Sequence, residues 1–155
     1  MADKDGDAPL VPQEDFVKAA KKIFRKKGYR PEMLAEKEPL KLVTDTYEVY
    51  RQAVRLGIAD NEIPEAMAKK LDHDAFLFSG FKVHHELSEV GLSLRDGDGK
   101  LKSYEQFERD VLKIHRTYNR NYLRSEYDFA VASAQMAARW KDIEAKKDRY
   151  HLQYR

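Results

Sequence analysis

From Lys100 to Arg155 the chain contains neither glycine nor proline. Those two residues are the strongest punctuators of local structure, so this stretch carries no local signal to stop a helix. Ser103 followed three residues on by Gln106 is a capping-box signature and marks the start. Phe107, Val111, Ile114, Tyr118 and Tyr122 then hold one apolar line, taken up again by Tyr127, Ala130, Ala134, Ala138 and the stem of Lys141. The expected long helix covers residues 102–147. A helix of roughly 40 residues is about 60 Å long, more than the preceding residues can cover along its whole length. It must either bend near Asn119 to Ser125 or leave part of itself for a partner.

Upstream, glycines and prolines divide the chain into shorter pieces. Residues 1–12, "MADKDGDAPLVP", lack periodicity and are expected to form a frayed tail. Phe16, Ala20, Ile23 and Phe24 give a first helix over 13–27 with Gly28 as its stop. Pro31 and Pro39 bracket a short helical piece around Glu32 to Lys37, and a second main helix runs from Leu40 through Val43, Tyr47, Tyr50 and Val54 to Gly57. Pro64 opens a short helix, "PEAMAKKL". Asp72 or Asp74 caps the following segment, in which Gly80 and Gly91 each cost about 1 kcal/mol and predict a kink or an early end. "RDGDGK" is a turn.

The fold class is therefore all-α, an irregular helical region over 13–101 followed by one long C-terminal helix. Residues 148–155 form a strand-like stub, because Tyr150, Leu152 and Tyr154 alternate with His151, Gln153 and Arg155. Two readings of it stand side by side, a frayed helix end and the first strand of a further domain.

Composition narrows the chemistry. Charged residues make up 36% and hydrophobic residues 42%, which is the balance of a soluble domain with solvated helix faces. The net charge of +2 gives no global case for nucleic-acid binding. There is no cysteine, hence no disulfide, thiolate metal site or cysteine nucleophile, as befits an intracellular or virion-interior protein. No apolar run is long enough to span a membrane and the acidic opening is unlike a signal peptide, so the expectation is a protein made in the cytosol with no membrane partner.

Candidate chemistry is weak. "HHELSE" places Glu89 where the zinc-helix pattern needs its second histidine, and His73, Asp74 and His84 have only generic spacing; no metal or other cofactor is expected. A calcium loop starting at Asp96 fails where Lys100, Leu101 and Phe107 occupy ligand or glycine positions. With no nucleophile elbow, no phosphate-binding glycine loop and carboxylates interleaved with bases, nothing points to an enzyme.

One charge pattern stands out. Arg109, Lys113, Arg116, Arg120 and Arg124 step by four, three, four and four along one face of the long helix, and no acid lies between Val111 and Ser125. The stripe is either a solvated face answered by acids on neighbouring helices or a docking face for acidic protein or phosphate. Tyr118 and Tyr122 flank it as core residues on spacing, or as interface anchors. Beyond it, Ala130, Ala132, Ala134, Ala137 and Ala138 allow close helix approach while Phe129, Met136 and Trp140 supply bulk, within the fold or in an assembly.

The segment "YNRNYLRSEYDFAVASAQMAARW" followed by "DRYHLQYR" resembles the phage Mu F-like minor head proteins, the head-morphogenesis family, and "FSGFKVHHEL" resembles the helical region upstream in that family. The likeness covers Tyr104 to Arg155 and, more loosely, Phe76 to Leu101. It implies a non-enzymatic minor capsid component that works with portal or scaffold during procapsid assembly, in the host cytoplasm and then in the virion interior, with self-association a further expectation. The family's C-terminal domain is a small α+β unit carrying Arg, His and Cys after a strand. This sequence ends before such residues, so the resemblance implies the N-terminal helical part of a longer protein. A nucleic-acid contact through the basic stripe is the alternative.

Overall fold

The computed structural model describes residues 11–59 and 61–153. Five helices run through them: α1 (Gln13–Lys26), α2 (Lys37–Ile58), α3 (Glu65–Leu92), α4 (Tyr104–Thr117) and α5 (Arg124–Gln153). A 3-10 turn, Pro31–Ala35, precedes α2, and a π turn, Tyr118–Leu123, joins α4 to α5. Among the described residues the only extended pairing is an isolated bridge between Arg95 and Leu101, so the fold is all-α.

α2 is the shared wall, with α1, α3 and α5 all packed against it. Tyr50 lies beside Glu126 and Ala130, and Gly57 beside Val131 and Ala134, so α2 and α5 run side by side in the same direction. Gly57 is required there, because a β-carbon would sit 2.4 Å from the Val131 carbonyl oxygen and 2.6 Å from the Ala134 β-carbon. Ala134, fully buried, is the matching small residue.

α1 buries Phe16, Ala19, Ala20 and Ile23 at helical spacing, as its sequence predicts. Its stop is a Schellman arrangement: the Gly28 N–H donates to the Ile23 carbonyl and the Lys27 N–H to that of Phe24, both at 3.2 Å. The left-handed residue is Lys27, not the glycine after it. The expected frayed tail ends earlier than residue 12, since Val11 is buried in the core and its carbonyl accepts from Asn119 Nδ2 at 3.4 Å; residues 1–10 lie outside those described. Pro39 falls inside the first turn of α2, where the missing N–H costs no helical bond.

Two expected breaks do not occur. "PEAMAKKL" and the segment after it form one helix, α3, and Asp72 and Asp74 lie within it, accepting from the Tyr47 hydroxyl and from Lys70 Nζ. The buried line of α3 starts only at Ser79 and continues through Lys82, Val83, Glu86, Leu87 and Val90. In the strand-like stub, helix α5 runs on to Gln153, so the backbone of Tyr150 and Leu152 is helical; Tyr154 and Arg155 lie outside the described residues. The turn before α4 is as expected, with Asp96 Oδ1 accepting from the backbone of Asp98 and Lys100 and Gly99 at φ 81°. Of the capping box only half forms: Ser103 accepts from the Gln106 N–H, while the Gln106 side chain turns to Asp110 and Arg109.

The C-terminal rod leaves α geometry over Tyr118–Leu123, a π turn that overlaps the stretch Asn119 to Ser125 where a bend is one of the two expected outcomes. Its buried residues explain why. Phe107, Val111, His115, Asn119 and Leu123 step by four, and half-buried Tyr127 continues the series. In a plain α-helix each such step leads the axis by about 40°, roughly 200° in five steps, enough to carry the line from core to solvent. A π turn takes up about one residue, roughly 100°, and so returns the line to the core.

Candidate functional site

The same π turn redistributes the sequence-predicted residues. Arg109, Lys113, Arg116 and Arg120 are exposed, whereas Arg124, past the turn, is half-buried; the shift of phase takes it off the common line. Arg109 Nη2 donates to Gln106 Oε1 at 2.8 Å, and among the described residues no carboxylate pairs with Arg116 or Arg120. The two tyrosines part company as well. Tyr118 is buried and its hydroxyl donates to Glu89 Oε1 at 3.0 Å, while Tyr122 is half exposed and stacks edge-on against it at 5.3 Å.

Sequence reasoning took Tyr122 for the apolar line and overlooked His115 and Asn119, which are in the core instead. Asn119 Nδ2 lies 2.7 Å from His115 Nε2, and the imidazole packs on Phe16 with ring centroids 5.1 Å apart. Burial pushes His115 down to about 4, so the ring is neutral at ordinary pH.

α3 and the start of α5 diverge above α2, leaving a groove floored by Tyr50 and Val54. One half, about 420 Å³, runs between Leu71, Ala75 and Phe78 on α3 and Phe129, Ala130 and Ser133 on α5. The other, about 530 Å³, continues past Phe81, His85 and Glu89 to Tyr118 and Tyr122. Phe78, Ser125 and Glu126 border both halves. Aromatic residues stand at the rim: Phe81 is 71% and Phe129 73% exposed.

The groove has a charged seam beneath it. Lys82, its side chain 5% exposed, pairs with Glu126, lies 4.0 Å from Glu86 Oε1 and sits 5.0 Å from the Tyr118 ring centre. Burial pushes the Glu86 carboxyl up to about 7, against the pull of Lys82 and with the help of Glu126 and Glu89. The Tyr50 hydroxyl faces the same cluster without a hydrogen bond of good geometry, held protonated by burial and then by Glu126. A lone ammonium among two carboxylates in an apolar wall ties α3 to α5 and fixes their spacing.

The histidines of "HHELSE" are put to separate uses. His84 Nδ1 is 2.8 Å from the Tyr29 hydroxyl, joining α3 to the loop after α1, and His85 lies in the groove wall. Among the described residues no three acidic or histidine side chains are placed to share a metal ion, and His73, Asp74 and His84 are not brought together. No described helix is long and apolar enough to cross a membrane. The site thus consists of an aromatic-rimmed groove, with Arg109, Lys113, Arg116 and Arg120 lining neither half of it, and no family model, curated protein or solved structure matches the chain.

Proposed function

We propose that this chain is a structural assembly module of a phage or prophage head, a non-enzymatic minor head component that docks on portal or another capsid protein. The observation that carries the reading is the groove between α3 and α5, where Phe78, Phe81, Tyr122 and Phe129 are all exposed around one cleft. Soluble monomers rarely leave aromatic side chains clustered in this way unless a partner covers them. Aromatic residues are also the usual anchors of protein interfaces. The exposed bases Arg109, Lys113, Arg116 and Arg120, which do not line the groove, offer a further patch suited to an acidic partner surface. The resemblance of "YNRNYLRSEY" to Mu F-like proteins, a segment that spans the π turn, supplies the setting.

Substituting Phe81→Asp tests the groove and reversing Arg116 and Arg120 to Glu tests the basic patch. Both sites are exposed, so thermal unfolding should be unchanged. The expected result is loss of the protein from purified procapsids with the groove variant and reduced incorporation with the reversed patch. Normal incorporation of both variants contradicts the proposal.

A further inference from the structure

The two halves of the groove differ in chemistry, and the difference specifies what fills them. The first half is apolar: Val54, Leu71, Ala75, Phe78, Phe129 and Ala130 face it, and the carboxylate among its lining residues, Asp74, is held by Lys70 Nζ at 3.2 Å. The second half is acidic. Glu89 is exposed there and accepts from the neutral Tyr118 hydroxyl at 3.0 Å, and among the described residues no base pairs with it. Glu126, its side chain 26% exposed, borders both halves. Among the described residues that line the groove, Lys82 is the only lysine or arginine, and it is buried against Glu126 with Glu86 4.0 Å away. One ammonium thus serves two carboxylates, and Glu89 is left without a counter-charge. An apolar trough that leads into an uncompensated acidic end is complementary to a cationic amphiphile.

We propose that the partner offers this groove a basic amphipathic helix, its apolar side chains filling the first half and an arginine entering the second to meet Glu89 and Glu126. This rests on the reading of the groove as a docking face and adds the chemistry of its occupant. Phe81 on α3 and Tyr122 on the π turn both line the acidic half and are exposed. A planar guanidinium stacks on such rings while binding a carboxylate through two N–H groups, which an ammonium cannot do. A helix suits the groove better than an extended peptide. The walls are helices, and no strand edge among the described residues is free to pair with a peptide backbone, which would be left unsatisfied in the apolar half. Along α3 the groove runs from Leu71 to Glu89, roughly 27 Å at 1.5 Å per residue, or about five helical turns. An acidic segment or a nucleic acid would instead set its own negative charges against Glu89 and Glu126.

The test is a display library of amphipathic helices about five turns long, randomised on one face and selected against the protein at about 50 mM salt, where charge pairing is little screened. Selected helices should carry arginine beside large apolar residues on the randomised face. Phe129→Asp, which sets a charge in the apolar half at an exposed position, should abolish their binding. Glu89→Gln keeps an acceptor for Tyr118 and removes the charge, so the best helix should bind it about threefold more weakly than the parent. That difference should shrink at about 1 M salt. Helices that need Phe129 but are neutral or acidic, or that bind Glu89→Gln as tightly as the parent, overturn the cationic occupant. A selection that yields no helix dependent on Phe129 overturns it as well. No procapsid enters the assay, so a basic preference here together with normal incorporation of the groove and patch variants would remove the head role and leave this inference standing.

Discussion

The two halves of the C-terminal rod are built on opposite plans. α4 and the π turn face inward: Phe107, Val111, His115, Asn119 and Leu123 are all buried, and the backbone departs from α geometry to keep them so. Beyond Ala134 the large apolar side chains are left uncovered, Met136 exposed and Trp140 half-exposed beside Ile63, Pro64 and Met67. One continuous stretch without glycine or proline thus serves the core of its own fold first and presents a surface second. The difference shows that periodicity alone marks which residues share a face, whereas the neighbouring helix decides whether that face is a core or an interface.

The sharpest way to break this comparison is to truncate one apolar residue in each half. Phe107→Ala should lower stability by about 3–5 kcal/mol, as a large cavity in a closed core does. Met136→Ala should change stability by less than about 0.5 kcal/mol. Urea unfolding checks both, and equal losses would erase the distinction.

Gly57→Ala comes next, since the obstructing atom is the Val131 carbonyl oxygen rather than a movable side chain. α5 must shift away from α2, and the expected loss is about 1–3 kcal/mol in thermal or urea unfolding.

A smaller effect separates the two buried titratable groups. Glu86, raised by burial from 4.5 to about 7, stabilises the fold fully below about 4.5 and loses that contribution as pH rises through about 7. His115, lowered by burial from 6.5 to about 4, has the opposite sense, contributing fully above about 6.5 and losing it as pH falls through about 4. Between about 4.5 and 6.5 the two slopes cancel. Relative to the parent chain, Glu86→Gln should therefore gain stability with rising pH over that range, by about 1 kcal/mol per unit. His115→Gln should lose stability over the same range. Chemical unfolding at a series of pH values checks the signs.

The smallest expected effect concerns the basic patch. With a net charge of +2 and only four exposed bases in it, binding of a short DNA duplex at about 50 mM salt should be weak and vanish by about 200 mM. Tight, salt-resistant binding in fluorescence anisotropy would favour a nucleic-acid role over protein docking.

Much of the fold was legible in the sequence because the signals were local. Phe16, Ala20 and Ile23 marked the buried face of α1, Ser103 marked the start of α4, and the length of the rod pointed either to a bend in the region where the π turn lies or to a part left for a partner. What was missed depended on distant partners. Asp72 read as a cap, but the Tyr47 hydroxyl engages it from α2. Nothing local in the sequence marks Lys82 and Glu86 as buried, since the Glu126 carboxylate that pairs with Lys82 comes from α5. Tyr122 fitted the apolar line by spacing until the π turn changed the phase and put Leu123 inward. The groove was invisible for the same reason, since its rim residues come from two helices far apart in sequence. Alternation in "YHLQYR" suggested a strand, yet Tyr150 to Gln153, with no adjoining strand among the described residues, continue the helix before them.

Amide hydrogen exchange tests the division of the rod most directly. Amides from Phe107 to Leu123 should be protected to the level of global unfolding, while those from Met136 to Lys147 should exchange readily through local opening. Equal protection of the two segments would contradict the account.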